Sequence, residues 1–157
     1  MKSILLIRHA KSDWALATSD KNRKIAERGI QAAHTIGQKL SKKLPDNYVV
    51  YCSTATRARE TATILTKYFS DPPPQIVYHE DLYTFSESAL TRFIQALPNE
   101  NSSLILFGHN EAITNFVNKF GSISIANVPT TGSVCIEFPI DSWKLIQKGT
   151  TKYVEFP

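Results

Sequence analysis

The stretch ILLIRHAKSDW, residues 4–14, joins an apolar run directly to a cation and an imidazole. The run from Ile4 to Ile7 is typical of a strand that is buried on both faces of a sheet. Arg8 and His9 follow it with no turn residue between. Either the strand simply reaches the surface at this point, or its end carries Arg8 and His9 into a binding pocket.

Strand-like and helix-like segments alternate along the remainder of the chain. Further strands are predicted in YVVYCS (48–53), around residues 76–78, and in SSLILFGHN, GSVCIEF and TKYVEF. Helices are predicted over about 27–43 and in TRARETATILTKYF, SESALTRFIQAL and EAITNFVNKF. This alternation predicts an α/β fold, a three-layer α/β/α sandwich with a mostly parallel central sheet. The length of 157 residues fits a single domain spanning 1–157.

The composition is that of a globular protein, with 42% hydrophobic and 20% charged residues. The formal net charge is +4, but Lys and Arg are scattered, which favours a solvated basic surface over nucleic-acid binding. The N-terminal apolar run is too short for a signal peptide, and no segment reaches the ~20 apolar residues of a membrane span. We therefore expect a cytoplasmic protein that binds neither nucleic acid nor membranes.

The two cysteines, Cys52 and Cys135, both lie in apolar, strand-like segments. Neither a C-x-x-C spacing nor a histidine cluster indicates zinc, and two isolated cysteines do not make a disulfide framework. Both are predicted to be small core residues. The sequence also contains no P-loop and no set of carboxylates typical of a metal site, so neither a metal nor a cofactor is predicted.

Candidate functional residues follow three of the predicted strands, where open α/β sheets bind their ligands. They are Arg8 and His9 after the first strand, Ser53 and Arg57 after the second, and His109 after SSLILFG. Taken singly, such residues are commonly solvated or hydrogen-bonded structural groups. If the strands are neighbours, two arginines and two histidines face one crevice. Clustered cations repel each other unless an anion joins them, and the arginine fork matches phosphate oxygens, so the pattern predicts a phosphoryl site.

The motifs LIRHAKSDW, DKNRKIAERG, CSTATRARETA, EDLY and LFGHNEAI occur in this order between residue 4 and about residue 140. Together they resemble the histidine phosphatase superfamily, and within it the short phosphohistidine phosphatases of the SixA type. The resemblance implies a phosphoglycerate mutase-like fold. The chain departs from the commoner pattern in having Arg-His-Ala instead of Arg-His-Gly, a small change that occurs within this branch.

The resemblance also implies roles for the residues at the strand ends. His9 is expected to be the nucleophile that accepts the phosphoryl group, since a neutral imidazole can attack phosphorus directly. Arg8 and Arg57 are expected to neutralise phosphate oxygens, and His109 to donate a hydrogen bond to one of them. Ser12 lies in the adjoining loop, where it either adds a phosphate contact or caps the loop.

The general acid is the least defined position of the pattern. Hydrolysis of an ester needs an acid to protonate the leaving oxygen. Asp81 in EDLY aligns with the acidic residue of the family, Glu80 beside it is the alternative, and Asp81 is otherwise a turn residue. Glu111 stands where the family usually has proline, and it either lines the pocket mouth or favours a helix N-terminus by its charge.

These observations favour a metal-independent phosphatase that hydrolyses phosphohistidine on a protein through a covalent intermediate on His9. The segment between Arg57 and His109 shows no inserted lid, and an open site fits a phosphorylated protein histidine or a small phosphate compound as partner. The main alternative is a small-molecule phosphomonoesterase with Asp81 as its acid. A non-catalytic phosphate-binding module is a further alternative, which the presence of a nucleophile disfavours.

Overall fold

The computed structural model describes residues 1–15 and 17–157. Its strands are β1 (Lys2–Arg8), β2 (Val49–Ser53), β3 (Ile76–His79), β4 (Ser103–Gly108), β5 (Ser133–Phe138) and β6 (Thr150–Glu155). Its α-helices are α1 (Glu27–Leu40), α2 (Thr56–Thr66), α3 (Glu87–Gln95) and α4 (Ala112–Phe120). Within the described residues, no helix is long and apolar enough to cross a membrane.

All six strands form one sheet in the order β3-β2-β4-β1-β5-β6. The strands β1 to β4 run parallel, and β5 and β6 complete the sheet in antiparallel fashion. This confirms the predicted mostly parallel sheet. The register pairs Arg8 with Gly108 and Cys52 with Phe107, so the carboxyl ends of β1, β4 and β2 meet at one edge.

The strand β1 is buried on both faces, as its apolar run predicts. Successive side chains of a strand point to opposite faces. Accordingly, Leu6 belongs to a cluster that includes Phe116 of α4, whereas Ile7 packs in a second cluster with Ile36 of α1 and Leu65 of α2. Burying a side chain of this size stabilises the fold by about 1.5–3 kcal/mol. The two clusters hold one helical layer on each side of the sheet, which confirms the three-layer architecture.

The ends of the helices differ slightly from the predicted ones. Helix α1 ends at Leu40, three residues before the predicted end, because the chain tightens there into a turn in which the Lys43 N–H donates to the Leu40 carbonyl. Helix α3 begins after Ser86, one of two serines that could cap it, which accepts a hydrogen bond from the Ala89 N–H.

The loop that follows β1 is held by backbone contacts at several points. Ser12 forms an isolated β-bridge with Ile25, and the Asp13 N–H donates to the Lys24 carbonyl at 2.7 Å. A short 3₁₀ helix spans Asp20–Asn22. These contacts hold the loop beside the carboxyl edge of the sheet, where the candidate residues lie.

Candidate active site

The carboxyl edge of the sheet brings the predicted histidines and arginines together. The His9 N–H donates to the Gly108 carbonyl at 3.1 Å, so the residues after β1 and β4 are neighbours. The ring centroids of His9 and His109 lie 5.3 Å apart. Arg57, in the first turn of α2, donates its Nε–H to Nε2 of His9 at 3.3 Å.

His9 is held as a neutral imidazole whose Nε2 lone pair accepts the hydrogen bond from Arg57. Its Nδ1 lies 2.7 Å from the Ala10 carbonyl, which only accepts hydrogen bonds, so Nδ1 carries the ring proton. Burial lowers the pKa of His9 to about 3, against the effect of the Ala10 hydrogen bond. The nearby cations Arg57, Arg8 and Arg23 lower it further. At neutral pH, Nε2 therefore presents a lone pair, the form that a nucleophile requires.

Arg57 is almost fully buried and also binds a carboxylate that the sequence did not single out. Its Nη1 donates to the Asp20 carbonyl at 2.6 Å, and its Nη2 lies 3.0 Å from Oδ2 of the same residue. Asp20 also accepts from Tyr83 and pairs with Nη1 of Arg23 at 3.0 Å. Burial opposes ionisation, but the hydrogen bonds from Tyr83 and Arg57 outweigh it and lower the pKa of Asp20 to about 2.

Arg8 lies within the same cluster of positive charge. Its Nη1 donates to the Val128 carbonyl at 3.0 Å, while its buried Nε has no partner among the described residues. Burial, and then the charge of Arg57, lower the pKa of Arg8 below its ordinary value. An unpartnered buried donor costs about 1–3 kcal/mol, and a phosphoryl oxygen would satisfy it.

His109 is enclosed by polar and aromatic neighbours. Its Nε2 lies 2.7 Å from Oγ of Ser53. The centroid of its ring lies 5.4 Å from that of Tyr83 and 5.6 Å from that of Phe85. Burial lowers the pKa of His109 to about 3, and the neighbouring His9 adds to the shift. The buried Nδ1 has no partner among the described residues. His109 is therefore also neutral and has one unused ring nitrogen.

Ser12 is placed in the loop that borders the site. Its Oγ accepts a hydrogen bond from Nε of Arg23 at 2.9 Å, and both residues are buried. The Arg23 guanidinium in turn stacks on the exposed ring of Trp14, 3.6 Å from its centroid. These contacts agree with the loop-capping alternative for Ser12, and its predicted phosphate contact stays a prediction.

The structure does not place Asp81 within this group. Its side chain is 74% exposed, and its Oδ2 lies 3.7 Å from Nδ1 of His79. Both residues line a cavity of about 550 Å³ that extends from Tyr83 along α3. The carboxylate of Glu80 is also directed away from this group, because it accepts hydrogen bonds from Lys21 and Thr54. The hydrogen bond from Lys21 is the main cause of the lowered pKa of Glu80.

Glu111 lies directly before α4, and its side chain makes no capping hydrogen bond. It is exposed, so its position agrees with a favourable charge at the helix N-terminus. In the described part of the chain, no group of three or more His, Cys, Asp or Glu residues could hold a metal ion. Cys52 and Cys135 are free thiols, the first buried and the second half-buried.

The profile of the histidine phosphatase superfamily, branch 1, matches residues 4–83. The chain belongs to this family and is a phosphatase. An uncharacterized protein of Mycobacterium tuberculosis strain H37Rv is 32% identical over 133 residues, which cover 85% of this chain and 81% of that protein. The family predicted from the motifs is thereby confirmed.

Solved structures share the fold of this histidine phosphatase. A Nakamurella multipartitia protein assigned as the phosphohistidine phosphatase SixA has a TM-score of 0.83 at 22% identity, over 99% of this chain and 96% of that one. The protein histidine phosphatase SixA complexed with tungstate has a TM-score of 0.81 at 18% identity, over 99% and 97% of the chains. These similarities confirm the phosphoglycerate mutase-like fold and agree with the predicted short branch.

Several residues of this histidine phosphatase site were missed by reasoning from the sequence. Asp20 and Arg23 lie in the quoted motif DKNRKIAERG, whose spacing was the available signal, but no role was assigned to them. Tyr83 is the last residue of the motif EDLY and Phe85 comes two residues later, yet nothing in the residue pattern places them against His109.

Proposed function

We propose that this phosphatase removes the phosphoryl group from phosphohistidine on another protein, through a covalent intermediate on His9. The observation that carries the proposal is the pairing of the His9 Nε2 lone pair with Nε of Arg57, 3.3 Å away. The same guanidinium that would bind a phosphoryl oxygen thus adjoins the attacking atom. A buried, neutral imidazole beside fixed cations suits attack on phosphorus.

In the first step, phosphoryl oxygens bind Arg8 and Arg57 and take over the Nε–H that Arg57 donates to His9, and the freed Nε2 attacks phosphorus. The Nε2–P bond forms as the P–N bond to the substrate imidazole breaks. The leaving nitrogen keeps the electron pair, and the substrate imidazole, protonated on its other ring nitrogen, leaves as a neutral group. The resulting phosphoimidazole on His9 gains positive charge, which the Nδ1–H bond to the Ala10 carbonyl disperses. In the second step, water attacks phosphorus and Nε2 leaves with its electron pair, which restores neutral His9. One water proton stays on the released phosphate and the other passes to solvent.

The position of the carboxylates supports a phosphohistidine substrate. An imidazole leaving group depends far less on an added proton than an alkoxide does. Asp81 is exposed, and Glu80 is paired with Lys21, so neither acid lies against His9 in the described structure. The Asp20 carboxylate, which Arg57 and Tyr83 bind, has a pKa of about 2 and therefore carries no proton to donate near neutral pH. A site without a protonated acid suits a phosphoramidate better than an ester.

The surroundings of the site also suit a large, planar phosphate donor. Between Arg57 and His109 the chain forms α2, β3, a 3₁₀ turn, α3 and β4, with no additional helical lid. The rings of Tyr83 and Phe85 form an aromatic wall beside His109. An open site with such a wall can accept a histidine on a protein surface.

The second candidate is a small-molecule phosphomonoesterase with Asp81 as acid. One observation favours it: Asp81 shares a cavity with Tyr83, which contacts His109. A change in the side chain rotamer of Asp81 would be needed to bring its carboxyl group to a leaving oxygen.

The deciding experiment measures hydrolysis of a phosphohistidine protein and of a phosphate monoester in excess chelator. We expect turnover of the phosphohistidine protein, and a phosphoenzyme with the acid lability of phosphohistidine. His9→Ala should abolish both. The matched control is His34→Ala, which removes an exposed histidine that bonds Tyr68 on the surface of the protein. Substantial turnover by His9→Ala would overturn the proposal.

The variant Asp81→Asn separates the two candidate substrates. For a phosphohistidine phosphatase it leaves turnover of phosphohistidine unchanged. A collapse of ester hydrolysis alone, together with ester turnover that exceeds phosphohistidine turnover in the wild type, would favour the phosphomonoesterase.

A further inference from the structure

Ser53, the last residue of β2, is completely buried and forms two hydrogen bonds around its hydroxyl. Its Oγ lies 2.7 Å from Nε2 of His109. The backbone N–H of Ala55 donates to the same Oγ at 3.2 Å. The hydroxyl therefore links the start of the loop before α2 to the second histidine of the site.

The direction of the Ser53–His109 hydrogen bond follows from the available protons. A serine hydroxyl has one proton to donate, and Ala55 uses one of its lone pairs. Besides Ala55, the partner of this hydroxyl among the described residues is Nε2 of His109. If His109 donated, both the buried hydroxyl proton and the Nδ1 lone pair would lack a partner, whereas donation by Ser53 leaves the Nδ1–H alone without one. Each unsatisfied buried group costs about 1–3 kcal/mol. Ser53 is therefore the donor and Nε2 the acceptor.

This direction determines the tautomer of the neutral ring. When Nε2 accepts a hydrogen bond, the single proton of a neutral imidazole lies on Nδ1. Nδ1 of His109 is buried and has no partner among the described residues, and the ring lies 5.3 Å from that of His9. The unused N–H is thus a donor close to the proposed nucleophile.

We propose that Ser53 is a positioning residue, which holds His109 as the Nδ1–H tautomer and so supplies a neutral N–H donor to the transferring phosphoryl group. The part that concerns phosphoryl transfer rests on the proposed function. The other tautomer would turn a lone pair toward the phosphoryl oxygens and repel them. A neutral donor also avoids adding a third positive charge beside Arg8 and Arg57, whose charges already repel each other.

The tautomer can be measured without any substrate. The chain contains four histidines, so ring ¹⁵N shifts can be assigned to His109 by comparison with His109→Gln. We expect the Nδ1–H form in the wild type, and a mixture or the Nε2–H form in Ser53→Ala. Ser53→Thr keeps a hydroxyl and should keep the tautomer; Ser53→Cys serves the same purpose should threonine not fit. An Nε2–H form of His109 in the wild type would overturn the inference.

Kinetics provide the second readout. Ser53→Ala should lower kcat about tenfold, the effect of one neutral hydrogen bond in the transition state, and Ser53→Thr should restore most of it. The matched control is Ser103→Ala, at the opposite end of the strands, where the serine bonds Ser3. An unchanged kcat in Ser53→Ala would overturn the role in transfer. If phosphohistidine is not hydrolysed at all, the proposed function fails, whereas the tautomer measurement stands on its own.

Discussion

Arg57 and His9 share a hydrogen bond from Nε to Nε2 across 3.3 Å, so the lone pair of the proposed nucleophile faces a guanidinium. The remaining nitrogens of that guanidinium reach Asp20 on the other side. Arg57 is therefore fixed at three atoms, and its orientation relative to His9 is rigid. A phosphoryl oxygen bound to this fork is placed beside the attacking atom.

The first prediction concerns this fork. Arg57→Lys retains the charge but loses the bidentate geometry and the bond to His9, so kcat should fall about 100-fold or more. The measurement is steady-state hydrolysis of the phosphohistidine protein, and the control is Arg59→Ala, whose exposed guanidinium packs on Tyr78. Near wild-type kcat in Arg57→Lys would show that positive charge alone suffices.

The second prediction concerns stability in acid. Burial lowers the pKa of His9 and of His109 from 6.5 to about 3, so between these pH values the unfolded chain binds more protons than the folded one. Stability then rises with pH through this window and is lost as the pH falls below about 6.5. Each histidine contributes a slope of up to about 1.4 kcal/mol per pH unit.

This slope is measured by urea unfolding at several pH values between 7 and 4. His109→Gln should flatten it by about half, whereas His34→Ala, which removes an exposed histidine, should not. Equal slopes for the wild type and His109→Gln would mean that His109 binds protons equally in the folded and the unfolded chain, which would contradict the prediction.

The sequence was sufficient to predict the fold because the signals of this fold are local. A short apolar run such as Ile4–Ile7 indicates a buried strand, and the alternation of such strands with amphipathic helices is compatible with few topologies. The ends of helices were less well predicted, as at Leu40, because residues with helical propensity continue beyond the last residue of the helix that packs on the sheet. The positions of Arg8, His9 and Arg57 follow from the motifs and from their place after parallel strands.

The contacts between distant loops could not be predicted in the same way. Tyr83 bonds Asp20 across 63 residues of sequence, and Ser53 bonds His109 across 56. Such pairs depend on the relative positions of segments that are distant in sequence, and local periodicity carries no information about these positions. Asp81 shows the converse limit, since a motif fixes the place of a residue in the chain but not the direction of its side chain.

The third prediction concerns Asp20, a carboxylate beside the site of an incoming phosphate. Like charges about 4 Å apart repel by about 1 kcal/mol in bulk water and by about 4 kcal/mol near a protein surface. Asp20→Asn keeps an oxygen that accepts from Arg57 but removes the charge, so inhibition by inorganic phosphate should strengthen about tenfold. Competition assays at fixed ionic strength measure this change.

The control for this prediction is Asp141→Asn, since Asp141 follows β5 at the opposite edge of the sheet. Weaker inhibition of Asp20→Asn by phosphate would mean that the orientation of Arg57 by the charge of Asp20 matters more than repulsion.

The fourth prediction concerns Phe85, an aromatic ring that is 52% exposed although it lies 5.6 Å from His109. Folding gains little from a ring in this position, but a planar leaving group gains a surface on which to stack, worth about 0.5–1.5 kcal/mol. Phe85→Ala should raise KM about three- to tenfold for phosphohistidine and for 4-nitrophenyl phosphate. It should leave KM unchanged for phosphoramidate, which has no ring. Leu145→Ala, at an exposed apolar residue in a 3₁₀ turn elsewhere, is the control. An equal rise in KM for phosphoramidate would show that Phe85 supports the fold of the site and does not contact the leaving group.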